Sequence, residues 1–486
     1  MMMGGEFQLP EPIIQDIQSF LTGKEAAQTS VLSKSWYSAW LTRPIVEFNV
    51  HDFKRNLSSD RLNYDAKKTI QRYEESNLKI ERLRLHMSGM SSMVDLASEL
   101  IVRAFKIGVT HLSVDSSFYC PYFLPGEVFE AVEAENLVEL SLEGCMIDIS
   151  SVKCVSLESL SLERVKLKRC DTIYNIISSC PLIQKLSLSG VDETEQAPGL
   201  CAPSPTNLPK LCQLRCLVLC AVYFDTFWYF SDLLPELPSL QDLTLIRCAD
   251  VGEVCSPSLE RLTFEPYGSD QSSRVEFDVP SIKKFTLEGS DIPSVCFKST
   301  SSKYWESHVS IKCEYDRAHL STSWFLELNQ LLTELSQSRI YLSLHVRSKY
   351  SFDYEVGGFE GLPKHQVENV TVDMDYLPSL SCYALFDGLF RICRPKFITL
   401  YLLSESRDGA KTNNDFICKT LVQGMKGTCS FQSLWKYGLR DLEEVNVEIY
   451  DEAGPAWRPL PSESLLDASK GLTKEQKIRF QLKWNL

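Results

Sequence analysis

Several features that would direct a protein to a membrane, to secretion or to nucleic acid are missing from this chain of 486 residues. No stretch approaches the roughly 20 apolar residues that a membrane-spanning helix needs. Residues 1–8 have neither the basic region nor the apolar region of a secretory signal peptide. The formal net charge is −14, whereas non-specific binding to nucleic acid needs a basic surface. We therefore expect a cytoplasmic and/or nuclear protein that binds neither membrane nor nucleic acid.

Histidine is scarce, and the motifs of common catalytic sites are missing. The chain has 7 histidines, none of them in an H-E-x-x-H metal motif or accompanied by a G-x-S-x-G nucleophile turn. The glycines between positions 357 and 361 precede no Gly-Lys-Ser/Thr, so they do not indicate a phosphate-binding loop. We predict a protein that is not an enzyme and that has no catalytic residues, no metal ligands and no cofactor.

Cysteine is not scarce, because the chain has 17. An odd number cannot be fully paired within one chain, and a reducing compartment favours free thiols. Cys212, Cys216 and Cys220 are spaced by four residues, with no histidine nearby. We interpret these three as structural core residues rather than metal ligands.

The central part of the chain repeats one short pattern of alternating apolar residues. The pattern L-x-x-L-x-L predicts a strand whose alternate side chains enter a core. A recurrence of about 20 to 29 residues is typical of leucine-rich repeats. Seven clear copies begin at Leu137, Leu157, Ile183, Leu214, Leu240, Leu259 and Ile282. The sequence therefore predicts an α/β fold built from leucine-rich repeats.

Weaker copies extend this pattern towards both ends. They begin at Ile80, Val109, Val309, Leu342, Val367, Ile398 and Leu442, and a last alternating stretch at 478–484 predicts a strand in a terminal cap. Apolar residues at helical spacing predict helices at 94–105, 173–180, 324–335 and 383–392. Three inserts interrupt the rhythm, at 194–209, 266–274 and 347–364. They are either tolerated insertions or loops that bind a partner.

Residues 9–40 have a helical organisation of their own. Apolar residues at helical spacing form one stripe, namely Ile13, Ile14, Ile17, Phe20 and Leu21. The segment 22–25 predicts a capping box that opens a second helix, and Ser33 predicts the cap of a third. Three short helices cannot bury all of these apolar groups by themselves. Part of this surface is therefore expected to bind a partner.

The N-terminal segment resembles the F-box of plant F-box/leucine-rich-repeat proteins. The resemblance rests on Leu9-Pro10, Ile13-Ile14, Ile17, Phe20-Leu21, Lys24-Glu25-Ala26 and the run 29–36. It departs from the usual pattern at Pro12 and at Ser35, where the family has an acidic and a basic residue. The resemblance implies a three-helix F-box at 1–45, a connector at 46–78, a curved leucine-rich-repeat solenoid of about a dozen irregular repeats at 79–450, and a C-terminal cap at 451–486.

The same resemblance implies a function. It implies a substrate-recognition subunit of a Skp–cullin–F-box ubiquitin ligase. In such a subunit the F-box binds a Skp-type adaptor and, through it, a cullin scaffold, while the repeats bind a target protein. The residues carried over to the adaptor contact are Leu9, Pro10, Ile14, Ile17, Leu21, Val31, Leu32 and Trp36. Two alternatives stay open: a binding scaffold independent of any ligase, and a small-molecule receptor, because some relatives seat a hormone or an inositol phosphate in the repeat domain.

Overall fold

The computed structural model describes residues 9–49, 59–87, 94–116, 121–124, 126–148, 152–168, 172–193, 211–221, 233–249, 251–267, 274–301, 304–313, 321–347, 359, 361–375, 379–401, 441–450, 457–460 and 477–485. The chain divides into two compact units, residues 1–240 and 241–486. Among the described residues, no helix is long and apolar enough to cross a membrane.

The first unit begins with helices and continues with short strands. Its helices are α1 (Glu11–Ser19), α2 (Gly23–Thr29), α3 (Lys34–Leu41), α4 (Ser59–Glu75), α5 (Val94–Ile107), α6 (Glu127–Glu130) and α7 (Thr172–Ser179). Its strands are β1 (Ile45–Asn49), β2 (Arg82–His86), β3 (His111–Asp115), β4 (Tyr122–Leu124), β5 (Glu139–Glu143), β6 (Cys145–Ile147), β7 (Ser159–Glu163), β8 (Lys166–Leu167), β9 (Lys185–Ser189), β10 (Asp192–Glu193) and β11 (Cys216–Cys220).

The first unit is organised by two parallel sheets. The main sheet has the order β1–β2–β3–β5–β7–β9–β11, and a smaller sheet has the order β4–β6–β8–β10. The register of the main sheet places Leu140, Leu160 and Leu186 side by side on neighbouring strands. All three are at most 3% exposed. Each repeat therefore adds two leucines to one continuous core, as the alternation predicts.

A left-handed turn ends several strands of the main sheet. Gly144, Arg164, Gly190 and Ala221 directly follow β5, β7, β9 and β11, and their φ angles lie between 50° and 63°. The amide nitrogens of Gly144 and Arg164 donate to the last carbonyl of the next strand, at 2.9 and 2.7 Å. This backbone hydrogen bond to the next strand recurs at successive turns. It holds even a non-glycine residue in the left-handed conformation.

The second unit contains two described helices and most of the longer strands. The helices are α8 (Thr322–Glu334) and α9 (Ser379–Ile392). The strands are β12 (Asp242–Cys248), β13 (Glu253–Cys255), β14 (Arg261–Pro266), β15 (Val275–Val279), β16 (Lys284–Gly289), β17 (Val295–Thr300), β18 (Glu306–Cys313), β19 (Arg339–Arg347), β20 (His365–Asp375), β21 (Cys393–Tyr401), β22 (Leu442–Tyr450), β23 (Trp457–Pro459) and β24 (Lys477–Trp484).

The main sheet of the second unit changes direction at its end. Strands β12–β14–β16–β18–β19–β20–β21 are parallel, and β13–β15–β17 form a smaller parallel sheet. Strand β24 then pairs antiparallel with both β21 and β22, and β23 pairs antiparallel with β22. Strand β22 therefore belongs to an antiparallel end of the sheet, which corrects the sequence prediction of a further repeat strand at 442–447.

Aromatic side chains replace leucines in part of the second core. Phe277 contacts Phe264, Phe285 and Phe297, with ring centroids 5.1–5.8 Å apart. Trp305, which is 1% exposed, packs 5.3 Å from Phe297. These rings connect the main sheet to the smaller one, so their packing links the two layers of this unit.

Most elements predicted from the sequence are present. The seven clear repeat strands and the four helices between repeats are confirmed. The first strand of the main sheet, β1, lies at the start of the segment assigned to the connector, so the sheet begins before position 46. The insert at 194–209 lies outside the described residues, as do most of the inserts at 266–274 and 347–364.

Candidate partner-binding surfaces

Side-chain caps define the three N-terminal helices. Thr22 accepts a hydrogen bond from the Glu25 amide while the Glu25 carboxylate accepts one from the Thr22 amide, so the predicted capping box is present. The hydrogen bonds from Thr22 hold the pKa of Glu25 below its usual value. Ser33 caps α3 by accepting from the Trp36 amide. These caps satisfy helix-start amides that would otherwise lack partners, and so fix where α2 and α3 begin.

A small core joins the three helices. Ile14, Gln18, Ala26 and Ala39 are each at most 1% exposed. The Gln18 amide nitrogen donates to the Thr29 hydroxyl at 3.0 Å and to the Trp36 carbonyl at 3.3 Å. One glutamine therefore bonds α1 to both α2 and α3. Because a buried amide is costly without such partners, this arrangement favours one packing of the module.

The module is attached to the first repeat by polar contacts at its base. The Gly23 amide donates to the Glu47 carboxylate of β1 at 3.1 Å. The Tyr73 hydroxyl, on α4, donates to the Arg43 carbonyl at 2.7 Å, and Arg43 itself is 3% exposed. Burial lowers the pKa of the Arg43 guanidinium, whose Nε donates to the Ile45 carbonyl at 2.9 Å. These bonds fix the orientation of the module on the main sheet of the first unit.

Large apolar side chains remain exposed on this module. Val31 and Leu32, in the turn between α2 and α3, are 84% and 65% exposed, and Phe20, at the end of α1, is 89% exposed. On α1, Ile13 and Ile17 lie one turn apart and are 46% and 39% exposed. Single exposed apolar residues are ordinary, but several between Ile13 and Leu32 indicate a surface that binds a partner.

The eight predicted adaptor residues differ in their exposure to solvent. Exposed side chains are Leu9, Pro10, Ile17, Val31 and Leu32, and Leu21 and Trp36 are half-buried. Ile14 is an exception, because it is 1% exposed and lies in the core of the module. We therefore reassign Ile14 from partner contact to the packing of the helices. Its neighbour Ile13, on the same apolar stripe, is the exposed member of the pair.

Three exposed residues were missing from the predicted set. They are Ile13, Phe20 and Tyr37, which is 50% exposed. Ile13 and Phe20 belong to the apolar stripe of α1, and that stripe is wider than one buried face requires. Its width is the signal that could have identified both residues. No comparable pattern in the sequence indicates that Tyr37 is exposed.

The face of each main sheet opposite the core is the second candidate surface. In the first unit its middle row is Ser113, Ser141, Ser161 and Ser187, in register on four strands. In the second unit the corresponding row begins with Thr244, Thr263 and Thr286 and continues to His308 and Tyr341. The last two rings stack with centroids 4.8 Å apart. These half-buried polar rows can bind the backbone or polar side chains of a partner.

Carboxylates accompany the histidines of this face. His86 and Asp115, on neighbouring strands, are 3.3 Å apart, as are His345 and Asp373. On the next strand of the same row, burial raises the pKa of Glu143, and the charges of Asp115 and Glu163 contribute further. No cluster of three or more metal-ligating side chains occurs among the described residues. His86 Nε2 also lies 3.9 Å from the Glu47 carboxylate, on the strand on its other side.

Cysteines occupy both faces of the sheets. Cys145 and Cys248 are buried at strand ends. Cys216 and Cys220 are half-buried and Cys212 is exposed. Assigning these three to the core was therefore wrong. Leu217 and Leu219 take the inward positions of β11, so residues of the opposite parity point to the other face.

Comparisons with known proteins agree with this architecture. A family model described as Leucine Rich Repeat matches residues 156–181, which contain β7, β8 and α7. An F-box/LRR-repeat protein of Arabidopsis thaliana is 31% identical over 295 residues, which cover 57% of this chain and 80% of that protein. The chain belongs to the plant F-box/LRR-repeat protein family.

Other members of the family match over shorter stretches. An F-box/FBD/LRR-repeat protein of Arabidopsis thaliana is 30% identical over 189 residues, covering 37% of this chain and 40% of that relative. The chain likewise covers only 41% of the length of two further relatives. This F-box/LRR-repeat protein thus spans less than half of the length of several of its relatives.

Proposed function

We propose that this protein is the substrate-recognition subunit of a Skp–cullin–F-box ubiquitin ligase. In this proposal residues 1–45 are the F-box and bind a Skp-type adaptor, and through it a cullin scaffold. The repeats form a solenoid that binds a target protein. The protein itself carries out no catalytic step, and it acts in the cytoplasm and/or the nucleus.

The observation that carries the proposal is the exposed apolar surface of the N-terminal module. Val31, Leu32 and Phe20 are each at least 65% exposed. An interface of this kind gains most of its energy from a few apolar anchors at its centre. The internal hydrogen bonds of Gln18 hold the helices beneath these anchors in one arrangement. A preorganised module loses little conformational entropy when a partner binds.

The attachment of the module to the repeats supports the second half of the proposal. The Gly23–Glu47 and Tyr73–Arg43 hydrogen bonds connect the helices to the repeat sheet. A target on the repeats of the first unit would therefore be held at a constrained position relative to the adaptor. Such a receptor accelerates ubiquitin transfer by proximity, because it converts an encounter between separate molecules into a reaction within one complex.

A paired pull-down with a purified plant Skp-type adaptor tests this proposal. The variant Val31→Ser with Leu32→Ser should bind the adaptor about thirtyfold more weakly or worse, because two central apolar anchors are lost. The matched control is Val102→Ser with Leu182→Ser, which changes the same residue types at positions 42% and 38% exposed. The control should bind like the wild type, and circular dichroism should show that both variants are folded.

The same experiment separates the ligase from a ligase-independent scaffold. If the wild-type protein binds no Skp-type adaptor, the proposed ligase role is wrong and the scaffold takes its place. An equal loss of adaptor binding in both double variants would show that the Val31–Leu32 turn is not the adaptor surface.

A further inference from the structure

A cleft in the second unit lies between α8 and the segment that leads into β17. It has a volume of about 220 Å3 and is lined by Ile292, Pro293, Ser294, Val295, Glu327, Gln330 and Leu331. Of the described residues that line it, none belongs to the main sheet. The cleft is therefore separate from the polar rows on the open face of the strands.

Contacts at the C-terminal end of α8 close one side of this cleft. The Glu334 carboxylate accepts a hydrogen bond from the Phe297 amide at 3.4 Å and lies 4.0 Å from the Arg274 guanidinium. Further along the chain, the Gln337 amide oxygen accepts a hydrogen bond from the Thr300 hydroxyl at 3.3 Å. These contacts hold the helix against β17 beyond the cleft, so a ligand would enter from the side of the first turns of α8.

Apolar and polar groups share the lining of the cleft. Three of the lining residues are apolar and at most 5% exposed, namely Ile292, Val295 and Leu331. Glu327 and Gln330 lie on one face of α8, and together with Ser294 they contribute a carboxylate, an amide oxygen and a hydroxyl. Such a lining suits a ligand that has an apolar stem and a polar head with several hydrogen-bond donors.

The charge of the lining favours a cation. Glu327 is the one charged residue among the described residues that line the cleft. It has a further interaction within the chain, but a carboxylate has about four acceptor positions and can accept another hydrogen bond. At the closed side, Glu334 and Arg274 balance each other in charge. An anion would be repelled by Glu327, whereas a cation would gain a charge-assisted hydrogen bond.

We propose that this cleft binds a lysine side chain of a partner protein. The ammonium group donates one hydrogen bond each to the carboxylate of Glu327, the amide oxygen of Gln330 and the hydroxyl of Ser294, which uses all of its donors. The four-carbon stem lies against the apolar lining, as the stems of lysines commonly do on apolar protein surface. The planar head of an arginine has more donors than this lining can satisfy.

The size of the cleft and its surroundings favour a side chain over a free amine. An apolar cavity of about 150 Å3 holds benzene. The volume of about 220 Å3 therefore has room for one lysine side chain. Leu326 lies one turn before Gln330 on α8 and is 39% exposed. This leucine can contact the residues that flank the lysine in a partner protein, whereas a free diamine has no such residues. The cleft is thus an interaction surface in addition to the adaptor surface and the open face.

Methyl NMR of the full chain tests this site, because the methyl groups of Ile292, Val295 and Leu331 report directly on the cleft. The probe is the tripeptide acetyl-Ala-Lys-Ala-amide. We expect saturable shifts of these methyl signals in the wild type, and about tenfold weaker binding by Glu327→Gln. The matched control, Glu288→Gln, makes the same change on β16 and should bind the tripeptide like the wild type.

Other ligands separate the possible outcomes. Tripeptides with norleucine or arginine in place of lysine should bind more weakly, and so should 1,4-diaminobutane. Absence of saturable shifts, or equal losses in Glu327→Gln and Glu288→Gln, would overturn the site. Equal affinity for the norleucine or the arginine tripeptide would overturn the recognition of an ammonium group, and equal affinity for the diamine would overturn the assignment to a protein side chain. Glu327→Gln should bind the adaptor like the wild type, so a failure of this inference is distinguishable from a failure of the ligase proposal.

Discussion

Truncating one leucine in the centre of the first sheet should destabilise the protein far more than changing its neighbour on the opposite face. Leu160 is 1% exposed in β7, between Leu140 of β5 and Leu186 of β9. Ser161, the next residue, is half-buried and points to the other face. The variants Leu160→Ala and Ser161→Ala therefore probe the two faces of a single strand.

The size of the effect follows from burial and from the rigidity of the core. Removing a fully buried leucine loses the free energy of transferring its methyl groups out of water and leaves a cavity, which together cost about 3 to 5 kcal/mol. Strands on both sides are fixed by parallel ladders, so the core cannot collapse to fill the space. Ser161→Ala should change the free energy of unfolding by less than about 0.5 kcal/mol.

Calorimetry and circular dichroism can measure both variants. For a unit of 240 residues, a loss of 3 kcal/mol corresponds to a decrease in Tm of roughly 6 to 12 °C. The Tm of Ser161→Ala should agree with the wild type within about 2 °C. Similar decreases for the two variants would refute the assignment of the strand faces. A decrease below about 2 °C for Leu160→Ala would show that this leucine is not part of a continuous core.

Two other predictions concern a helix cap and the thiols. Thr22→Ala should destabilise the N-terminal module by about 1 kcal/mol at pH 7, measured by thermal unfolding. The cap lowers the pKa of Glu25, so its stabilisation is present above the pKa of the unfolded state and is lost as pH falls through the folded pKa. The difference between Thr22→Ala and wild type should therefore shrink below about pH 4, and a difference that grows on acidification would contradict this. Burial raises the pKa to about 12 for Cys145, Cys154, Cys180, Cys313 and Cys393. These thiols should resist a thiol reagent at pH 8 in the native protein, whereas all 17 cysteines should react after denaturation without reductant, and several unreactive thiols would indicate disulfides.

The repeat strands could be predicted because their sequence signal has a direct physical cause. Alternation fixes which side chains face the core, and Leu217 and Leu219 are buried as the pattern requires. The sequence carries no such signal for the direction of a strand, because apolar and polar residues alternate in the same way in parallel and antiparallel strands. Strand β22 was therefore recognised as a strand, but its antiparallel pairing with β24 was not predicted. The smaller sheet of the first unit was missed because its strands, of two or three residues each, are too short to show a period.

The N-terminal module shows the corresponding limit for helices. Ile13, Ile14 and Ile17 all belong to one apolar stripe, yet only Ile14 is buried. Which member of a stripe enters the core depends on where α3 packs against α1, and helical periodicity does not contain that information. The capping box at Thr22 and Glu25 was predictable because both partners lie within one turn.

The pair Lys283–Lys284 shows why the charge pairing on a repeat face needs the structure as well as the sequence. Two adjacent lysines at the start of a strand look equivalent when only charge and periodicity are considered. In the folded chain, Lys283 pairs with Glu260 of the preceding repeat, whereas Lys284 lies in register between Arg261 of β14 and Glu306 of β18. The strand register, and not the composition, therefore determines which charges each lysine faces.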